Sequence, residues 1–153
     1  MLYYKYSNAM YSTAYRIVND REEANDALQD AFIQIFRDLK NFRNESTLGS
    51  WMKTIVIRAA LKRLRNRLEF QSVDDSAIYL LPDHFIHLDA EYLEKAILSL
   101  PAGYRTVFLL VEVEGYNHKE VGKMLDISES TSKSQLSRAK KMLREILTGK
   151  PEE

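Results

Sequence analysis

The sequence predicts an all-α protein: two small helical domains joined by a flexible linker, the second containing a helix-turn-helix. Three observations point there. Apolar residues recur at steps of three and four through most of the chain, residues that cap helices stand just ahead of the periodic stretches, and no alternating strand pattern emerges. Val107 to Val113 is apolar enough to pass for a strand, yet it lies inside a longer helical pattern. The periodicity lapses between Glu69 and about Leu88, which places one domain over 1–70, a linker over 71–87 and a second domain over 88–153.

Taken in order, Tyr3 to Val18 reads as a tyrosine-rich helix ending around Asn19, its tyrosines serving as buried packing residues of a small core with wet hydroxyls. Asp20 and Glu23 then form a capping pair for a helix in which Ala24, Ala27, Leu28, Ala31, Phe32, Ile35, Phe36 and Leu39 make one buried stripe. The opposite face carries Glu22, Asp26, Gln29, Asp30, Gln34 and Arg37. Asn41 to Ser50 is a polar loop containing Gly49. A third helix, from about Ser50 to Leu68, turns Ile57, Leu61, Leu64 and Leu68 inward and lines up Arg58, Lys62 and Arg65 on a neighbouring face. Within the linker, Ile78, Tyr79 and Leu80 are apolar enough to dock onto a surface. Asp89 to Leu100 is a fourth helix, Pro101 opens a fifth as an N1 proline would, and Gly115 stops that helix after about Glu114.

The helix-turn-helix follows. Asn117 and Glu120, three apart, start a short helix whose Val121, Met124 and Leu125 share helical spacing; Asp126-Ile127 breaks it, and Ser128 caps the next. That last helix carries Leu136, Ala139, Leu143 and Ile146 on one side. Its other side shows Ser130, Thr131, Lys133, Ser134, Gln135, Arg138 and Lys141, donors of the kind that reach base edges and phosphates in a major groove. DNA is the partner this face fits, while a plain helical hairpin with a solvated basic surface is the alternative the residues alone leave open.

The 22 basic and 22 acidic side chains cancel, but they are segregated. Lys53, Arg58, Lys62, Arg63, Arg65 and Arg67 fall in one stretch without an acid, and Lys133, Arg138, Lys140, Lys141 and Arg144 fall in another. Between them lie Glu69, Asp74, Asp75, Asp83, Asp89, Glu91 and Glu94. Two basic surfaces separated by an acidic segment fit one polyanion gripped at two places. Cysteine is absent, which excludes disulfides and thiolate zinc sites. No apolar run approaches the roughly 20 residues that span a bilayer, and Met1-Leu2-Tyr3-Tyr4-Lys5-Tyr6 lacks the apolar core of a signal peptide, so a cytoplasmic protein without membrane insertion is expected. His84, His87 and His118 show no ligand spacing and read as surface or partly buried residues. With no phosphate-binding loop or nucleophile motif either, no catalytic residue, cofactor or metal is expected, and the chain is not read as an enzyme.

Nearly the whole chain resembles the extracytoplasmic-function (ECF) sigma factors of the sigma-70 family, small bacterial transcription initiation factors. Asp20-Arg21-Glu22-Glu23-Ala24, Asp26-Ala27-Leu28-Gln29-Asp30-Ala31-Phe32 and Phe42-Arg43…Ser50-Trp51-Met52…Ile55 are similar to region 2 of that family. Leu100-Pro101…Tyr104-Arg105…Phe108, Glu114-Gly115-Tyr116, Glu120-Val121-Gly122 and Lys133-Ser134…Leu136-Ser137-Arg138-Ala139 are similar to its region 4.

The resemblance implies partners and roles. Asp26, Gln29, Asp30 and Ile33 correspond to the helix that binds the β′ clamp helices of core RNA polymerase. Arg43, Asn44, Glu45, Ser46 and Thr47 correspond to the loop that receives a flipped base of the minus-ten promoter element, and Arg58, Lys62, Arg63 and Arg65 to the helix along the non-template strand. Region 4 docks on the β flap, and Ser130, Thr131, Lys133, Ser134, Gln135, Ser137 and Arg138 match its reader of the minus-thirty-five element. An anti-sigma factor is a further implied partner. Melted DNA needs a cationic track and a pocket for an unstacked base, and duplex DNA needs donors in the major groove. The chain departs from the family pattern at Arg58 (commonly Asn), Gln135 (commonly basic), Ser132 (usually Val) and Gly122 (usually Ala), and it begins late in the first family helix. A free-standing helix-turn-helix regulator, and a basic amphipathic helix at 51–68 binding acidic lipids, are the alternatives.

Overall fold

The computed structural model describes residues 2–70 and 90–149, with side chains of 68–70 excluded, and the described residues form helices without a strand. The chain divides into two compact units, one on each side of that gap. The predicted linker 71–87, the docking residues Ile78, Tyr79 and Leu80, the second domain's start at 88, Asp89, His84, His87 and the inward turn of Leu68 lie outside the described residues.

In the first unit α1 (Leu2–Val18), α2 (Arg21–Asp38) and α3 (Leu48–Phe70) pack mutually. Its core is built from Met10, Ala14, Ile17 and Val18 of α1, Ala24, Ala27, Leu28, Ala31, Phe32 and Ile35 of α2, and Met52, Val56, Ile57, Ala60, Leu61 and Leu64 of α3. Asn19 takes a left-handed conformation and its N–H bonds the Tyr15 carbonyl, which ends α1 where the sequence predicts. Asp20 caps α2 by accepting from the Glu23 N–H.

Three expectations are corrected here. The α1 tyrosines are not core: Tyr3 and Tyr4 are exposed and the others half-exposed, packing on one another and on Phe32 by ring edges and stacking. The α2 stripe is buried only as far as Ile35; Phe36, in the last turn of α2, is 54% exposed, and Leu39, already in the 3-10 turn Leu39–Asn41 that follows Asp38, is 37% exposed, so the stripe outruns the packed part of the helix. The polar loop is shorter than predicted, since α3 begins at Leu48 and takes in Gly49 and Ser50. Thr47 starts it, accepting the Ser50 N–H on its hydroxyl and the Trp51 N–H on its carbonyl.

In the second unit α4 (Ala90–Leu98), α5 (Ala102–Phe108) and α6 (His118–Leu125) pack against the long α7 (Glu129–Thr148). The fourth helix stops at Leu98, two residues short of prediction, and Pro101 is the extended N-cap of α5 rather than its first helical residue. Leu100 nonetheless buries, and Arg105, itself buried, donates to the Leu100 carbonyl and so ties the α4–α5 turn to α5. α5 continues through Leu109–Val113 as a π-helix, with the Glu114 N–H bonding the Leu109 carbonyl, before Gly115 takes a positive φ. Tyr92 of α4 reaches the Ile146 carbonyl near the end of α7.

Candidate nucleic-acid and protein interfaces

On α2, Asp26, Gln29, Asp30 and Ile33 are all exposed, opposite the buried stripe. Ile33 is 59% exposed, an apolar residue in the middle of a charged face. The acids are not isolated. Arg63 of α3 donates to Asp30 Oδ2 from Nε at 3.1 Å and from Nη2 at 2.8 Å, while its Nη1 lies 3.5 Å from Asp26 Oδ2 and 3.6 Å from Glu23 Oε2. The hydrogen bond to Asp30 is the main cause that raises the Arg63 pKa above its ordinary value. The family resemblance puts Arg63 on a DNA track and the aspartates against a protein partner; the fold pairs them with each other.

Arg58, Lys62 and Arg65 remain an exposed row on the outer side of α3. Arg67, from the same basic stretch, turns inward and donates to the Val18 carbonyl at 2.7 Å, closing the end of α1. In the loop before α3, Arg43, Asn44, Glu45, Ser46 and Thr47 are exposed, Asn44 is left-handed at φ 60°, and the flanking Phe42 and Trp51 rings pack on each other at 5.1 Å. Thr47 therefore has a capping function that its place in the sequence pattern did not reveal.

The helix-turn-helix forms as predicted. The Asn117 carboxamide accepts from the Glu120 N–H, Asp126 turns the chain in a left-handed conformation, and Ser128 accepts from the Thr131 N–H. Two departures from the family pattern acquire reasons. A Cβ on Gly122 would stand 2.7 Å from the Ile127 carbonyl oxygen, so this turn closes over a glycine. Ser132 is fully buried and lies 2.8 Å from His118 Nδ1, which joins the starts of α6 and α7 by a polar contact. His118 is half-buried.

Along α7, Ser132, Leu136, Ala139 and Leu143 are buried, whereas Ser130, Thr131, Lys133, Ser134, Ser137, Arg138 and Lys141 are exposed. Lys133 also pairs with Glu129 at 3.7 Å, and Lys140 with Glu112 at 2.6 Å. Gln135 is only half-exposed, its side-chain oxygen lying over Gly103 of α5. It stands on the shoulder of α7, not on its outermost line. Ile146, expected inward, is half-buried.

Comparison with known proteins decides the family. Residues 2–68 match the model for sigma-70 region 2, and residues 90–143 match that for sigma-70, region 4. The chain belongs to the sigma-70 family. Among its relatives, the ECF RNA polymerase sigma factor SigM of Mycobacterium tuberculosis is 32% identical over 82% of this chain, and SigV of Bacillus subtilis is 29% identical over 90% of this chain and 84% of its own length. The chain spans 65% of the length of SigM and 59% of that of SigE of Mycolicibacterium smegmatis. The fold is that of the sigma factor RpoE from Bartonella quintana, solved in complex with the anti-sigma factor NepR, with TM-score 0.61, 23% identity and coverage of 92% of this chain and 91% of that one. The sigma family is one of transcription initiation factors and not of enzymes. Among the described residues no helix is long and apolar enough to cross a membrane, and no cluster of acidic or histidine side chains fits a metal ion.

Proposed function

We propose that this chain is an ECF-type RNA polymerase sigma factor that directs core polymerase to particular promoters and initiates transcription there, without catalysis of its own and in the cytoplasm. The observation that carries the reading is the union of both units in one chain. A unit with an acidic helix face and a separate exposed basic row precedes a capped helix-turn-helix, and the two match regions 2 and 4 in that order. A free-standing regulator has use for the second unit alone. In this reading residues 1–70 serve as region 2, 71–87 as linker and 88–153 as region 4.

Asp26, Gln29, Asp30 and Ile33 meet the β′ clamp helices, charge against charge with one apolar anchor. The loop Arg43–Thr47 receives an unstacked minus-ten base, supported by the exposure of all five residues and by the neighbouring Phe42–Trp51 ring pair, and Arg58, Lys62 and Arg65 follow the phosphates of the opened strand. Ser130, Thr131, Lys133, Ser134, Gln135, Ser137 and Arg138 serve the minus-thirty-five element while region 4 docks on the β flap. RpoE and CnrH were solved with the anti-sigma factor NepR and with the cytosolic domain of CnrY, and a partner of that kind is proposed here too. The test is charge reversal. Asp26→Lys with Asp30→Lys weakens binding to core polymerase from the same organism while circular dichroism keeps its helical signal; undiminished core binding rules out this face.

A further inference from the structure

The basic stretch of α3 is two surfaces, not one. An α-helix turns about 100° per residue, so Arg63 stands roughly 130° around α3 from the row of Arg58, Lys62 and Arg65. The exposure follows that geometry: the row is exposed, whereas Arg63 is half-buried against α2 and Arg67, one turn further on, is half-buried against α1. From the ion-pair geometry we infer that Arg63 is a positioning residue of the polymerase-binding face and not a contact to the promoter strand. This rests on the reading of Asp26 and Asp30 as polymerase contacts.

Asp26 and Asp30 are one helical turn apart, and two like charges at that spacing repel. Arg63 lies across both. Its contacts go to Oδ2 of each carboxylate, two of them to Asp30, and leave Oδ1 of each outside the contacts. The carboxylates still expose 51% and 55% of their side-chain surface, enough for a second cation to approach. Glu23, at 3.6 Å, adds a third negative group that holds the guanidinium in place. The planar fork thus fixes the rotamers of two partner-facing carboxylates in advance, and the ordering cost that binding would otherwise carry is removed beforehand. Used in this way, the Arg63 charge is already committed on the protein. A phosphate would have to displace Asp30 to reach it.

Full-length wild type, Arg63→Ala, Arg63→Lys, Asp26→Asn, Asp30→Asn and the triple Arg58/Lys62/Arg65→Ala variant are titrated against core polymerase, and each holoenzyme against a pre-melted promoter fragment over a range of salt. Arg63→Ala is expected to weaken core binding about three- to tenfold, with the salt slope of promoter binding unchanged. Arg63→Lys restores only part of the loss, because an ammonium cannot span both carboxylates. The triple variant does the reverse, keeping core affinity and losing salt slope. The unfolding midpoint followed by Trp51 fluorescence stays within a few degrees throughout; a large drop for Arg63→Ala would make the residue a general fold contact and overturn the proposal. Unchanged or tighter core binding by Arg63→Ala overturns it as well, as does a loss of salt slope like that of the row. If Asp26→Asn and Asp30→Asn also bind core as wild type does, the polymerase face itself falls; if they weaken binding and Arg63→Ala does not, only the assignment of Arg63 falls.

Discussion

Gly122→Ala puts the geometry of the helix-turn-helix to the test. Position 122 is buried inside α6, and its own carbonyl accepts from the Asp126 and Ile127 N–H groups as the chain turns toward α7. A methyl group there meets the Ile127 carbonyl oxygen at 2.7 Å. Unstrained carbon contacts begin near 3.5 Å, so the turn must retreat by about 0.8 Å, and it is backbone that has to move. Alanine in place of glycine within a helix gains about 0.5–1 kcal/mol, whereas forcing a methyl into a closed packing site costs about 1–3 kcal/mol. The clash wins because a backbone turn tied to Gly122 by two hydrogen bonds yields less readily than a side-chain tip, giving a net loss of about 1–2 kcal/mol. Amide hydrogen exchange of Leu136 and Ala139 in α7 should therefore accelerate about 5- to 30-fold in the variant. Trp51, the single tryptophan, lies in the first unit and provides an internal control whose fluorescence transition should not move. Unchanged or slower exchange in α7 would refute the close-approach argument.

Three further outcomes are expected. Asp126→Gly stabilises the second unit by about 0.5–1 kcal/mol, since Asp126 holds φ 56° at a steric cost that glycine does not carry; a destabilised variant in the same exchange measurement contradicts this. Alanine at Arg58, Lys62 and Arg65 together lowers the salt slope of promoter-strand binding by about two to three units, as each lost phosphate contact retains its counterion, and an unchanged slope would leave the row a solubility feature. Gln135→Arg shifts the preferred upstream element at one base position by about 1–3 kcal/mol if the longer side chain clears Gly103 and reaches a base edge; identical sequences selected from a randomised promoter library by both proteins would remove position 135 from the reading set.

Much of the fold is legible because its signals are local. Asp20, Asn117 and Ser128 each accept from the amide three residues on, a relation contained within one turn of sequence, and helix starts read from them agree with the structure. Periodicity likewise names the buried face of α2. It cannot tell how far the neighbours extend, which is why Phe36 and Leu39 continue the pattern and yet face outward. Thr47 lies in a loop by composition, but its hydroxyl begins a helix. The site was less legible because its decisive contacts are distant in sequence. Arg63 and Asp30 are 33 residues apart, and nothing in a run of basic residues distinguishes the one that faces an acidic helix from those that face away. His118 and Ser132 show the same limit at shorter range: each alone reads as an unremarkable polar residue, and only the packing of α6 on α7 brings them to 2.8 Å.

The central claim, that this chain confers promoter choice on RNA polymerase, is tested most directly by run-off transcription on fragments of its own genome with core polymerase in the presence and absence of the chain. The account predicts discrete transcripts that require the chain, disappear when Asp26 and Asp30 are both reversed to Lys, and share an upstream element. Binding to duplex promoter DNA by the chain alone, with no chain-dependent transcript from core polymerase, would contradict it.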